Sequence, residues 1–179
     1  MYFLLALAFL VPSVRAISEE SKNDDIPTLG EVIDFFNTTE KIWVYTSSEG
    51  PERQCLSIKK ISGEDNAMKY RFTQEYLDNT GTHTQTLTVR LTAKSSGKPP
   101  GMTVTSGRKT TRYTPKKFNV NEQCGIFSFN RPGKKEKQCE VYVWHNTVMR
   151  TTPEVCFKEV DVVCEGLKKY QLYSSSCPW

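Results

Sequence analysis

Two residues late in the chain have side chains suited to holding a charged ligand. Glu140 and Tyr142 stand two positions apart in a stretch of alternating polar and apolar residues. Side chains two positions apart share one face of an extended strand, so the carboxylate and the ring point the same way. An ammonium group needs such a counter-charge, and a ring face adds about 0.5–2 kcal/mol by cation–π contact. The pair predicts a site for a small amine.

Aromatic residues of other alternating segments are expected to face the same interior, and these candidate ligand contacts are Trp43, Tyr70, Phe72, Phe127 and Phe129. Each candidate also has a packing interpretation, because large aromatic side chains dominate protein cores whether or not a ligand is bound. Trp43 then packs the floor of the fold, Tyr142 fills the core, and Glu140 faces solvent at the start of its strand.

Other chemistry is not indicated. No Gly-x-Ser-x-Gly motif is present, and neither of the two histidines, His83 and His145, has an obvious orienting partner for catalysis. A zinc site is equally unsupported, because no Cys-x-x-Cys pair occurs and these two imidazoles are the only ones. We therefore expect no enzyme activity, no metal and no cofactor.

The residue pattern predicts which elements position these side chains. Leu29, Val32, Ile33 and Phe36 recur with helical spacing after a Thr28–Glu31 capping pair, which indicates a short amphipathic helix. A period of two then predicts strands over 41–46, 53–61, 67–77, 82–93, 102–105, 110–114, 122–130 and 139–147. A second helix is predicted over 153–165. Eight short strands joined by tight turns favour a mainly β fold, an up-and-down antiparallel barrel, with a β-sandwich as the competing architecture.

The N-terminal residues and the cysteine count predict a secreted protein. Of the 179 residues, 1–16 read as a signal peptide, 17–27 as a flexible acidic leader and 28–179 as one domain. No later apolar run is long enough to span a membrane. Six cysteines after the signal indicate three disulfides with 15 possible pairings. A hydrophobic content of 37% disfavours a disordered chain. We expect a secreted monomer with an N-glycan at the Asn37-Thr38-Thr39 sequon.

The cysteine ladder carries a family resemblance. Cys124-Gly125-Ile126, then Glu140-Val141-Tyr142 and then Cys156 resembles the amine-binding signature of the tick salivary lipocalins, also called the tick histamine-binding protein family. The resemblance extends over essentially the whole mature chain. It implies an eight-stranded lipocalin barrel with disulfides Cys55–Cys177 and Cys124–Cys156, which leaves Cys139 with Cys164.

The resemblance also implies sequestration of a host inflammatory mediator to suppress host defence. The family signature has an aspartate where this chain has Gly125, and Val141 replaces a leucine. A second carboxylate is thus missing from the predicted amine site. Room beside apolar rings at Gly125 would instead favour a lipid mediator such as a leukotriene, or a sterol. Histamine or serotonin stays the first expectation, and a lipid the alternative.

Basic residues concentrate in the middle of the chain. Between Lys94 and Lys137 there are eleven basic residues and two acidic ones, mostly in the predicted connections 94–101, 106–117 and 131–137. Such loops suit a polyanion, for example heparan sulfate, an anionic lipid surface, or an acidic host protein, as in an inhibitor of complement or haemostasis. The plain alternative is a solvated surface. No nucleic-acid-binding module is recognisable.

Overall fold

A computed structural model describes residues 26–64, 68–95, 97–131, 133 and 136–178. The predicted signal peptide, most of the predicted leader, and Ala67, Lys134 and Lys135 lie outside the described residues. Within these ranges no helix is long and apolar enough to cross a membrane.

The predicted antiparallel barrel is confirmed. Its strands are β1 (Lys41–Ser47), β2 (Gln54–Glu64), β3 (Lys69–Asp78), β4 (Gly81–Thr92), β5 (Gly101–Ser106), β6 (Lys109–Asn119), β7 (Cys124–Asn130) and β8 (Lys137–Trp144). Each strand pairs with the next along the chain, and β1 pairs with both β8 and β2. The sheet therefore closes on itself and leaves an enclosed interior, as the alternation of inward and outward side chains requires.

The inward faces follow the period of two in the sequence. On β3, Tyr70 and Phe72 are fully buried, and their neighbours on β4, Val89 and Leu87, are buried opposite them. Arg71, between the two aromatic residues, is exposed. Because side chains alternate across a strand, this arrangement places the apolar core inside the barrel and the charges outside.

Helix α1 (Leu29–Phe36) closes one end of the barrel. Its predicted capping box is present: the backbone N–H of Glu31 donates to Thr28 Oγ1 over 3.2 Å, and the Glu31 carboxylate accepts from the Thr28 backbone N–H over 2.7 Å. The helix buries Phe35 and Phe36, which join the barrel core. We call this the closed end. The mouth is the opposite end, where β2 and β6 begin and β7 ends.

The chain after the barrel contains a helix that the sequence pattern did not predict. The last strand was predicted to reach Thr147, but β8 ends at Trp144 and α2 (His145–Arg150) follows. The prediction failed because β-branched Thr147 and Val148 favour a strand locally, whereas a six-residue helix is too short to show a helical period. Next come α3 (Glu154–Val163), within the predicted 153–165, and β9 (Tyr170–Gln171), which pairs with β1.

Strand β6 is also longer than its predicted range of 110–114. The strand was predicted to end at Thr114, before Pro115, but it continues to Asn119. The register against β7 shifts between Pro115 and Lys117. A proline is tolerated at such a β-bulge because the ladder hydrogen bond is already interrupted there.

Three disulfides are present, and they join Cys55 to Cys177, Cys124 to Cys156 and Cys139 to Cys164. These are the pairs that the family resemblance implied. In every bridge, one cysteine belongs to a barrel strand and the other to the segment after residue 150. The C-terminal segment is therefore tied to the outside of the barrel at three places.

Candidate ligand-binding cavity

A cavity of about 260 Å³ occupies the barrel interior. Apolar side chains from α1 and three strands line part of it: Phe36, Leu56, Ile58, Leu87, Val89 and Met102. Polar and charged side chains line it as well: Arg53, Gln74, Gln85, Lys109, Arg131 and Glu140. A ligand that fits this cavity has both an apolar part and a polar or charged group.

Glu140 of β8 lies inside this cavity, with only 2% of the residue exposed. Its carboxylate accepts hydrogen bonds from Ser47 Oγ over 3.3 Å and from Tyr142 Oη over 2.9 Å. Both donors are neutral. Throughout the described part of the chain, no basic side chain forms an ion pair with Glu140. A buried carboxylate without a counter-charge is costly, so the site favours either a proton or a cation.

Burial raises the pKa of the Glu140 carboxyl from about 4.5 to about 7. The negative charge of nearby Glu49 raises it further, whereas the hydrogen bond from Tyr142 and the positive charges of Arg53 and Arg131 lower it. The carboxyl is therefore close to half-protonated at neutral pH. Because a cation would favour the ionised form, binding of a cation is coupled to release of a proton.

Two tyrosines complete the surroundings of Glu140. Tyr142 and Tyr113 line the cavity together, and burial raises the pKa of both phenols well above 10. The negative charge of Glu140 adds to this shift. Both hydroxyls therefore keep their protons and act as hydrogen-bond donors. Phe129 supports Tyr113, since the two rings stack with centroids 4.5 Å apart.

An ion-pair cluster lies at the mouth. Glu49, in the loop after β1, accepts from Arg53 Nη2 over 2.6 Å and also pairs with Arg131, in the loop after β7. The two arginines line the cavity, and Arg53 also lies over the Tyr76 ring, 5.7 Å from its centroid. The cluster joins two loops across the mouth and leaves one positive charge in excess.

The other predicted ligand contacts lie elsewhere in the fold. Tyr70, Phe72 and Phe127 are fully buried in the barrel core and are not among the residues that line the cavity. Trp43 lies on the outer face of β1, where it packs with Tyr173 and the Cys55–Cys177 bridge. Its indole N–H donates to His145 Nδ1 over 2.9 Å. Trp43 thus attaches the C-terminal segments to the barrel.

Gly125 does not open the cavity, contrary to the sequence-based expectation. A Cβ atom at this position would lie 2.7 Å from Cε1 and 2.9 Å from Cδ1 of Phe118, the residue paired with Gly125 across β6 and β7. The Phe118 ring occupies the space, and Phe127 packs against it with centroids 5.4 Å apart. The glycine is required for close packing of these rings, so the room expected for a lipid is absent.

Five residues that surround the site were not predicted from the sequence: Ser47, Glu49, Arg53, Tyr113 and Arg131. For Ser47 the reason is a β-bulge, because the register of β1 against β8 shifts between Val44 and Thr46. The extra residue reverses the alternation, so Ser47 pairs with Glu140 and shares its face. Tyr113 did have a signal, since it alternates with outward residues in Thr-Arg-Tyr-Thr.

One group of possible metal ligands occurs among the described residues: Glu122, Cys124 and Cys156. Both cysteines belong to a disulfide, and the Glu122 carboxylate accepts from the backbone N–H groups of Val155 and Cys156. This carboxylate caps the first turn of α3, where a negative charge is favourable. The group is accounted for by local structure.

Comparison with known families identifies the chain. The family model described as tick histamine binding protein matches residues 29–178, which include every barrel strand and all six cysteines. This chain belongs to the tick histamine binding protein family. Comparison with the curated proteins gave no match.

Solved structures similar to this family member are lipocalins. Japanin from Rhipicephalus appendiculatus, bound to cholesterol, has 13% identity over 76% of this chain and 95% of its own, with a TM-score of 0.57. A serotonin complex of AM182 has 15% identity over 82% and 92%, with a TM-score of 0.59. Insecticyanin from the tobacco hornworm Manduca sexta has 11% identity over 82% and 84%, with a TM-score of 0.51. At identities this low, the structural similarity shows a shared fold and nothing more.

Proposed function

We propose that this member of the tick histamine binding protein family is a secreted protein that sequesters a small biogenic amine, such as histamine or serotonin. Binding itself is the function, with no chemical conversion of the ligand. The observation that carries the proposal is the buried carboxylate of Glu140, which lines the cavity and accepts its described hydrogen bonds from the neutral donors Ser47 and Tyr142. An ammonium group supplies the missing charge.

Cavity size supports a ligand with few heavy atoms. The volume of about 260 Å³ lies just below the range of about 300–1,000 Å³ that is usual for drug-sized ligands. A single-ring or indole amine fits such a space with its ring among the apolar side chains and its ammonium group at Glu140. A sterol or a leukotriene would require displacement of packed core residues.

Ionisation supports the same ligand class. Alkylammonium groups have pKa values of about 10, so the amine arrives protonated at pH 7. Because the pKa of Glu140 is about 7, a proton leaves the carboxyl as the amine binds. Affinity is then expected to rise about tenfold from pH 6 to pH 8, as the ionised fraction of Glu140 rises from about one-tenth to about nine-tenths.

The proposal is tested by titration calorimetry with histamine and serotonin at pH 6, 7 and 8. The wild-type protein should bind more tightly as pH rises, and binding near pH 7 should release protons to the buffer. Glu140→Gln should weaken binding at pH 8 by about 10- to 100-fold, since hydrogen bonds to charged groups contribute about 1.5–3 kcal/mol. It should also remove the pH dependence. Glu165→Gln, at an exposed carboxylate outside the barrel, is the matched control.

Two other functions give different results when the same titrations are repeated with a leukotriene and with cholesterol. A scavenger of lipid mediators would bind a leukotriene or cholesterol with equal affinity in the wild-type and Glu140→Gln proteins, and would ignore amines. A protein-binding inhibitor of complement or haemostasis would bind none of these ligands. Amine affinity that is unchanged by Glu140→Gln would contradict the role of this carboxylate even if an amine binds.

A further inference from the structure

The outer wall of the barrel presents a row of basic and hydroxyl side chains across three neighbouring strands. Arg112 of β6, Asn130 of β7 and Lys137 of β8 pair in register. In the adjacent row, Thr114 of β6 pairs with Ser128 of β7. Tyr113 and Phe129, between the two rows, face the interior, so by alternation the paired residues point outward. We call Arg112, Thr114, Lys116, Ser128 and Lys137 the basic face.

The sequence had suggested that basic groups would concentrate in flexible connections. Instead, Arg112 and Lys116 lie within β6, and Lys137 is the first residue of β8. Ladder pairing through Asn130 fixes Arg112 and Lys137 relative to each other, and Lys116 lies on the same strand as Arg112, at the β-bulge after Pro115. The basic face is therefore a preorganised arrangement of charges, which loses less entropy on binding a partner than charges on mobile loops do.

The positive charges of this face lie close to one another. The pKa of the Lys116 ammonium is lowered, first by partial burial and then by the positive charge of Lys137 beside it. Nearby Lys117, by contrast, has Glu159 at 4.0 Å. Within the described ranges, Arg112, Lys116 and Lys137 form no ion pair. Like charges held close together without a counter-ion attract an anion.

A hollow of about 490 Å³ lies on this face, and an unpartnered hydroxyl lines it. Ser128 is 1% exposed, and its Oγ atom has no hydrogen-bond partner among the described residues. A buried hydroxyl without a partner costs about 1–3 kcal/mol, so its presence in a hollow that Arg112 and Lys137 also line indicates a missing acceptor. Thr110 and Thr114 line the same hollow.

We propose that the basic face binds a sulfated polysaccharide. Its sulfate groups would contact Arg112, Lys116 and Lys137, and the threonine and serine hydroxyls would contact sulfate or sugar oxygens. Arg112 and Lys116 are four positions apart on β6, so their charges are spaced along the strand, which suits anionic groups repeated along a polymer. None of the exposed large apolar side chains of the described chain lies on this face, which argues against insertion into a lipid surface. The three cations proposed to contact sulfate do not line the interior cavity, and Arg131 at the mouth is the residue that lines both the hollow and the cavity.

The test compares two triple variants with equal loss of charge. Arg112→Gln/Lys116→Gln/Lys137→Gln removes the basic face. Lys59→Gln/Arg71→Gln/Arg90→Gln removes three exposed basic side chains from the outer wall of β2, β3 and β4. Binding to size-defined heparin oligosaccharides, to desulfated heparin and to phosphatidylserine vesicles is measured at several salt concentrations. Histamine titration of each variant reports on the cavity.

We expect the wild-type protein to bind heparin oligosaccharides and not to bind desulfated heparin or phosphatidylserine vesicles. The basic-face variant should bind heparin about tenfold more weakly with a shallower salt dependence, because each exposed ionic contact contributes modestly. The control variant should retain wild-type affinity, and both should bind histamine as the wild-type protein does. Equal weakening in both variants, absence of heparin binding, or preference for vesicles would overturn the proposal.

Discussion

The buried Glu140 makes a quantitative prediction about stability that needs no ligand. In the unfolded chain, a glutamate titrates near its ordinary pKa of about 4.5, whereas in the folded protein it titrates at about 7. The folded state therefore holds a proton more tightly than the unfolded state. This difference of about 2.5 pKa units corresponds to about 3 kcal/mol, at about 1.4 kcal/mol per unit.

The sign follows from linkage between proton binding and folding. Below pH 4.5 the carboxyl is protonated in both states and contributes no penalty. As pH rises towards 7, the unfolded state gains by ionising while the folded state does not, so the free energy of unfolding falls. Above pH 7 the penalty is complete and constant. With only 2% of the residue exposed, solvent screening does not reduce this value substantially.

Glu140→Gln removes the titrating group and keeps acceptor and donor atoms for Ser47 and Tyr142. Urea unfolding, with disulfides intact, is measured from pH 4.5 to pH 8.5. The stability of the wild-type protein relative to the variant should fall by about 3 kcal/mol across this range, so the variant gains most above pH 7. Glu165→Gln should give a profile parallel to wild type. A parallel profile for Glu140→Gln would refute the assignment of a buried, charge-deficient carboxyl.

Three further predictions test other features of the structure. Gly125→Ala should destabilise the fold by about 1–3 kcal/mol in urea unfolding, since its Cβ would meet the Phe118 ring; Gly125→Asp, which restores the family aspartate, should destabilise further and give no gain in histamine affinity. Removal of the Cys55–Cys177 disulfide by the double substitution Cys55→Ala and Cys177→Ala should lower the free energy of unfolding by about 3–5 kcal/mol. This disulfide closes a loop with a sequence separation of 122 residues. Exposed Asn37 should carry an N-glycan in a glycosylating host, seen as a mass loss on enzymatic deglycosylation that Asn37→Gln abolishes.

Sequence reasoning predicted those features that repeat along the chain. The barrel strands, the interior positions of Tyr70 and Phe72, and the capped first helix all follow from periods of two or of 3.6 residues. The pairing of Glu140 with Tyr142 on one face is of the same kind, since it depends only on a spacing of two within one strand.

The features that were missed depend on contacts between distant segments. Ser47 joins Glu140 only because a bulge in β1 reverses the alternation, and a bulge leaves no mark in a hydrophobic pattern. Gly125 appeared to leave space because the sequence does not show that Phe118 is its cross-strand neighbour. Trp43 appeared to face inward, but the covering that buries it on the outer face comes from Tyr173 and the last cysteine.

The arrangement of the three disulfides has a consequence for the order in which the chain is made. Cys55, Cys124 and Cys139 leave the ribosome first, and their partners Cys156, Cys164 and Cys177 all follow the last barrel strand. No native bridge is able to form until every barrel strand has been synthesised. Until then the barrel strands have only hydrogen bonding and burial to hold them, and the thiols of Cys55, Cys124 and Cys139 lack their native partners. The native bridges therefore contribute to stability only after the C-terminal segment has been made.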